Sequence, residues 1–341
     1  MRILIIGGTA FVGRHIAEAA IAAGHDVTLF HRGQTGAELF PQATHLTGDR
    51  NSDLSALAAG RWAATIDVCG YLPRQVRTLA DALDGRAGQH VFISSTSAYR
   101  TPVTRGFTED APLAELADPA TQEITDQTYG GLKAACERAV TELHGAAGAT
   151  IVRPTYVIGP HDHSGRFTWW VERLACGGTV LAPGDPGDPI QVIDARDMAS
   201  WIVSMIERSV TGVFHAASPA PPFGFGDMLQ AIAAEVAPPG TNLVWVASEF
   251  LLAEGQNELS LPLWPSADSE SDINAADPAA AVAAGLTWRP IRRSAAEIHA
   301  AEQSSPTPAP AGLGLAPQRE AELLTRWNTT GDSTGGTTGE R

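Results

Sequence analysis

Hydrophobic residues in the first half of the chain gather into short runs separated by longer stretches of mixed polarity. Ile3-Leu4-Ile5-Ile6 has no polar interruption, which predicts a strand buried on both faces of a parallel sheet; a half-exposed strand would alternate apolar and polar positions. Apolar-rich runs at Asp26 to Phe30, Thr44 to Leu46, Ala64 to Val68, His90 to Ser94 and Thr150 to Val152 predict five further strands. Between them lie helical patterns at Phe11 to Ala23, closed by Gly24, at Arg74 to Leu83 and at Gln127 to Leu143. Strands alternating with helices imply right-handed βαβ units. The expected fold class is therefore α/β, a doubly wound parallel sheet of the Rossmann type with a smaller C-terminal substrate lobe.

Beyond Pro154 the rhythm loosens. Phe167 to Leu174 reads as helix with Trp169 and Trp170 as packing residues, 183–189 as a Pro/Gly/Asp turn, and Asp194 to Glu207 as helix again. Asp277-Pro278, an alanine run and Gly285 carry the cap, first-turn proline and stop glycine of a short helix. The division expected is a dinucleotide-binding domain over 1–155 with a return segment near 190–215, and a substrate lobe over 156–300. A Ser/Pro/Ala linker at 303–312, a C-terminal helix at 313–328 and a disordered Gly/Thr-rich tail at 329–341 complete it.

A net charge of -15 over 341 residues opposes binding to nucleic acid or to an acidic membrane surface and leaves a small molecule as the expected partner, with a homodimer compatible. Cys69, Cys136 and Cys176 form no Cys-x-x-Cys pair and read as small core residues in a reducing compartment. No apolar run approaches the roughly 18 residues of a membrane span, and the first strand begins at Arg2, so a cytoplasmic location is expected.

Two clusters carry chemistry. Gly7-Gly8-Thr9-Ala10-Phe11-Val12-Gly13 joins the first strand to the first helix, where glycines let the backbone approach a pyrophosphate that the helix N-terminus favours. The second strand ends in His31-Arg32, with no carboxylate for the ribose 2'-hydroxyl of NAD; a guanidinium suits the 2'-phosphate of NADP, so NADP is expected ahead of NAD. The second cluster is Tyr129-Gly130-Gly131-Leu132-Lys133 within a helical segment, which stacks phenol and ammonium on one helix face. Lys133 is the only lysine among 23 basic residues, so a compact ammonium is required where guanidinium serves everywhere else. A cation beside a phenol lowers its pKa from roughly 10 toward the range of general acid-base work.

These residues, with Gly48-Asp49-Arg50, Phe92 to Tyr99, Arg153-Pro154, Gly159-Pro160, Ile193 to Asp197 and Gly285 to Pro290, resemble the extended short-chain dehydrogenase/reductases, the NAD(P)-dependent epimerase/dehydratase family. The Gly-Gly-Thr-x-Phe-x-Gly form and the His-Arg-Gly turn are most similar to an atypical branch that also resembles chloroplast stem-loop-binding proteins. The resemblance implies an oxidoreductase or epimerase acting by hydride transfer at a carbinol or carbonyl carbon of a small or sugar-like substrate. Tyr129 would be the acid/base, Lys133 would hold the nicotinamide ribose, and Ser95 or its neighbour Thr96 would polarise the substrate oxygen. Gly7 to Gly13, His31, Arg32, Asp49, Arg50, Cys69, Gly70, Tyr71 and Lys133 would line the cofactor. A non-catalytic NADP-responsive or RNA-binding protein on the same fold is the alternative.

Two departures stand out. Ala10 occupies the place of the middle glycine, predicting some crowding near the phosphates, and Ile190 stands where nucleotide-sugar enzymes carry a diphosphate-binding arginine. His161-Asp162-His163 lacks a third ligand and reads as polar loop rather than metal site, and Glu109 with Asp110 as a solvated face.

Overall fold

The computed structural model describes residues 1–264 and 272–334. The chain forms two compact units, one of Met1–Gly159, Gln191–Pro221 and Asp272–Arg289, the other of Pro160–Ile190, Pro222–Ser271 and Pro290–Arg341.

In the first unit the chain runs β1 (Arg2–Ile6), α1 (Phe11–Ala22), β2 (Asp26–His31), β3 (Thr44–Thr47), β4 (Ala64–Asp67), α2 (Pro73–Leu83), β5 (Gln89–Ile93), α3 (Asp126–His144) and β6 (Ala149–Pro154). Seven strands pair in parallel, in the order β10-β6-β5-β4-β1-β2-β3, with Gly212–Ala216 as the edge strand β10. The run Ile3 to Ile6 is continuous for a reason visible in the packing. Ile3 and Ile5 face a cluster with Ile16, Ile66 and Ile202, while Leu4 and Ile6 face Phe30, Leu57 and Leu79. Strand order reverses between β1 and β4, whose ends meet in register at Ile6 and Asp67, and a crevice opens beyond their carboxyl ends.

After β6 come β7 (Tyr156–Ile158), which pairs with β9 (Val192–Asp194), and then α5 (Ala195–Glu207), which packs on α1. The segment 272–289, expected in the lobe, belongs with the sheet unit instead. Its short helix α8 (Ala279–Ala283) and Leu286 bury apolar side chains in the same core as Ile202 and Phe214, and Arg289 donates to Asp197 at 2.9 Å. The sequence pattern alone did not place these side chains.

The second unit is built from α4 (Arg166–Ala175), β8 (Thr179–Pro183), α6 (Phe225–Val236), β11 (Asn242–Val246), α7 (Ser248–Ala253), α9 (Ile291–Ser304) and α10 (Pro317–Thr334). Helices α4, α6 and α9 pack on one another, and β8 pairs in parallel with β11. Trp170 is fully buried against Phe225 and donates to the Pro262 carbonyl at 2.5 Å. The expected C-terminal helix begins later and runs past Asn328, where a tail was expected. Buried Glu320 fixes it by accepting from Leu181 N at 2.9 Å and Arg173 Nε at 2.7 Å, and a helix anchored in this way extends at little further cost. Tail residues 335–341 lie outside the described residues. Among the described residues no helix is long and apolar enough to cross a membrane.

Candidate cofactor and active site

The loop after β1 needs glycine at defined points. Gly7 has φ +88°, and a Cβ on Gly13 would lie 2.0 Å from the Gly7 carbonyl oxygen, so α1 can start this close to the strand only without a side chain there. Ala10 is the N-cap of α1 at φ -119° with its side chain exposed. That conformation suits any residue, and the alanine lines the cavity beside the turn. Thr9, Phe11 and Gly13 are buried, and Gly8 packs on Ile5 and Leu29.

Beside the loop lies a cavity of about 330 Å³. Ile6, Gly7, Thr9 and Ala10 line one side; Phe30, His31, Arg32 and Gly33 follow from β2; Asp49, Arg50, Asn51, Cys69 and Tyr71 close it. Arg32 is exposed at this rim. His31 is held by a directional chain: Gly33 N donates to its Nδ1 at 3.0 Å, its Nε2 lies 2.8 Å from His45 Nδ1, and His45 Nε2 lies 3.1 Å from the Phe40 carbonyl. Burial lowers the His31 pKa, and neighbouring His45 adds to this. Asp49 accepts from Asn51 N at 2.8 Å. Arg50, expected beside the cofactor, lines the cavity but gives its guanidinium to buried Asp67, at 2.6 Å and 3.0 Å. Burial alone would raise the Asp67 pKa; Arg50 outweighs it and keeps the carboxylate ionised.

Helix α3 carries the second cluster. Thr125 caps it, accepting from Thr128 N at 3.3 Å. Lys133 is buried, and its Nζ donates to the carbonyls of Gly70 at 2.9 Å, in the turn after β4, and of Ile93 at 2.8 Å, the end of β5. Burial lowers its pKa to about 8, against the pull of surrounding groups that include Asp67. The ammonium stands 4.9 Å from the ring centres of Tyr71 and of Phe92, and 6.0 Å from that of Tyr129. Tyr71 and Tyr129 are themselves 6.5 Å apart. Tyr71 therefore belongs both to the cavity wall and to the surroundings of the Tyr129 and Lys133 pair.

The hydroxyls expected at the end of β5 differ. Ser95 is partly exposed and caps a 3-10 turn, accepting from Ser97 N at 3.0 Å. Thr96 is buried, its Oγ1 turned to the Pro154 carbonyl at 3.4 Å.

Sequence reasoning missed the framework behind this site. Glu137 continues the spacing of four from Tyr129 and Lys133 along α3 and is buried. It accepts from Ser94 Oγ at 2.5 Å and from Arg153 Nη2 at 2.6 Å, and Arg153 also donates to Tyr99 Oη. Tyr99 Oη in turn lies 2.5 Å from His215 Nε2. A single glutamate four residues after Lys133, on the helix face that carries Tyr129, was the available signal. Glu109 departs from the solvated reading because it accepts from His215 N at 2.9 Å, whereas Asp110 is exposed. Cys136 is buried and Cys69 half-buried, but Cys176 is exposed rather than core. Asp162 is occupied by Ser164, at 2.8 Å from both its N and Oγ, and among the described residues no cluster could hold a metal ion.

The profile of the NAD dependent epimerase/dehydratase family matches residues 3–69 and 72–216. Among curated proteins, the chain is 26% identical over 233 residues to the chloroplast stem-loop binding protein of 41 kDa b from Arabidopsis thaliana, covering 63% of this chain and 58% of that one. It is 24% identical over 235 residues to a bovine (Bos taurus) epimerase family protein, covering 64% and 75%. Solved structures of similar fold include the UDP-glucuronic acid 4-epimerase from Bacillus cereus in complex with NAD, at TM-score 0.62 and 16% identity over 89% of this chain and 100% of that one. The UDP-N-acetylglucosamine 4-epimerase from Methanobrevibacter ruminantium M1 has TM-score 0.67 and 14% identity, over 89% and 98%.

Proposed function

This chain belongs to the NAD-dependent epimerase/dehydratase family, and on that premise we propose an NADP-preferring enzyme that oxidises or reduces a carbinol or carbonyl carbon of a small or sugar-like substrate. The observation that carries the reading is Tyr71, which lines the cavity beside the glycine turn and touches Lys133 beside Tyr129, so it links the candidate cofactor cradle to the candidate proton-transfer group.

The glycine turn fits a pyrophosphate because Gly13 leaves the α1 N-terminus open to it. Exposed Arg32 at the cavity rim supports a 2'-phosphate, hence NADP. The bound dinucleotide supplies the acceptor or donor of a hydride. Tyr129 takes the proton from the substrate hydroxyl during oxidation and returns it during reduction, and the Lys133 ammonium stabilises the phenolate form. Of the two candidate hydroxyls, partly exposed Ser95 supports the polarising role better than Thr96, which is turned to the main chain. Ile190 is fully buried, and an apolar side chain offers a diphosphate no charge, which supports a smaller or less anionic substrate.

Changing Tyr129 to Phe is expected to abolish turnover while dinucleotide binding persists; full activity in that variant refutes the assignment. Mass spectrometry of gently purified protein separates the two reaction types. Retained NAD favours an internal redox cycle and epimerisation, and an empty site that titrates with NADPH favours a reductase. The likeness to a stem-loop-binding protein supports RNA binding as a second reading, against which stands the net charge of -15. Salt-sensitive RNA binding without dinucleotide turnover on any carbonyl or sugar panel would reverse the order.

A further inference from the structure

We propose that Tyr71 is a positioning residue of the reaction, its ring face holding the Lys133 ammonium beside Tyr129. The proposal rests on the reading of Tyr129 and Lys133 as a working pair. It adds a residue from a different part of the chain, the turn between β4 and α2.

Lys133 has two fixed acceptors, the Gly70 carbonyl in the turn after β4 and the Ile93 carbonyl at the end of neighbouring β5. Two aromatic faces also stand 4.9 Å from it, those of Tyr71 and Phe92. Phe92 is fully buried in β5 and anchored by the core, whereas Tyr71 is 39% exposed and forms the solvent side of the enclosure. A ring face carries the negative part of its quadrupole, so it attracts a cation without offering a proton acceptor. Such a wall keeps water off the ammonium yet favours its charged form, which a purely aliphatic wall would not.

The turn itself is built to hold that ring. Gln75 Oε1 accepts from Tyr71 N at 2.9 Å and Leu72 N at 3.1 Å, while Gln75 Nε2 donates to Asn51 Oδ1 at 2.8 Å. Gly70 cannot be replaced without a clash, since a Cβ there would lie 2.6 Å from the Phe92 ring. The Tyr71 hydroxyl makes no hydrogen bond that ties it down among the described residues, so the face is the part in use. Other groups acting on Lys133 are Asp67 on β4, Cys69 beyond it, Cys136 on α3, Arg50 and Tyr129. All of them remain in the chain when the Tyr71 ring is replaced.

The chain has a single lysine, which makes the test direct. Full-length protein grown with 13C-labelled lysine gives one ε-methylene signal, and its titration reports the Lys133 charge without any substrate. Tyr71→Phe retains the face and is expected to leave the midpoint unchanged. Tyr71→Leu removes it and is expected to lower the midpoint by about half to one and a half pH units, the size of a desolvated cation–π contact. If Leu disturbs folding, Tyr71→Met serves the same purpose. An unmoved or raised midpoint with Leu or Met, or an equal drop with Phe, overturns the proposal. Because the lysine is read directly, a Tyr129→Phe variant that stayed fully active would sink the acid-base assignment while leaving the midpoint result to stand or fall by itself.

Discussion

Gly130 faces the carbonyl of Ser97 so closely that a Cβ at that position would lie 2.0 Å from the oxygen. The glycine directly after Tyr129 is thus what lets α3 reach the turn that carries Ser95. Gly130→Ala sets two effects against each other. Alanine stabilises an exposed helix by about 1 kcal/mol relative to glycine, but overpacking against fixed backbone costs about 1–3 kcal/mol. The contact is with main chain that cannot rotate away, so net destabilisation is expected, together with a fall in kcat larger than any rise in dinucleotide Kd. Urea denaturation with parallel activity and binding assays checks it; a variant as stable and active as the parent would show that the helix can move at no cost.

Arg32→Gln removes an exposed cation from the rim of the cavity that His31 and Gly33 also line. A hydrogen bond to a charged group is worth about 1.5–3 kcal/mol, so NADP affinity is expected to drop about 10- to 100-fold while NAD affinity changes little. Equal losses for both dinucleotides in fluorescence titrations would instead place Arg32 away from the 2'-phosphate.

The parts of this fold that could be read from the chain are those dictated locally. Ile3 to Ile6 is uninterrupted because neighbours cover both faces, and Gly7 and Gly13 are glycines because the backbone leaves no room. Tyr129 and Lys133 were visible because a sole lysine in an arginine-rich chain marks a place where geometry forbids the substitution. What escaped was held by distant partners. Tyr99 and Arg153 stood inside motifs, but their links to Glu137 and His215 join separate parts of the chain that only the fold brings together. Arg50 illustrates the converse, a motif residue next to the crevice whose charge is committed to Asp67. The course of α10 was likewise set by Glu320 reaching Arg173 and Leu181, far away in sequence.

His90 and His144 stack with ring centres 4.3 Å apart, and neither nitrogen of His90 has a hydrogen-bond partner among the described residues. Burial, reinforced by His144, lowers the His90 pKa to about 3. The unfolded chain takes up this proton near pH 6.5, so the stability due to a neutral His90 is complete above that value and is lost progressively as pH falls toward 3. Between pH 7 and pH 5 the expected loss is about 2 kcal/mol. Denaturation curves at the two pH values measure it, and His90→Leu should flatten the dependence; an unchanged slope in that variant would assign acid lability to other groups.

Glu137 and Arg153 form a buried pair at 2.6 Å that sets how α3 lies on β6, and with it the direction of Tyr129 and Lys133 on the same helix face. Burial would lower the Arg153 pKa, but the Glu137 carboxylate raises it overall. Breaking such a pair from one side strands a charge in the interior and costs about 3–5 kcal/mol, whereas replacing both partners with apolar residues can be nearly neutral. Glu137→Leu is therefore expected to be strongly destabilising, and the double variant Glu137→Leu, Arg153→Leu to recover much of the loss, although Tyr99 and Ser94 each lose a partner. A double-mutant cycle in urea gives the coupling energy. Turnover in the double variant then decides what the pair is for. If stability returns and kcat does not, its charges position α3 for chemistry; if both return, packing alone suffices and the buried charges are dispensable to the site.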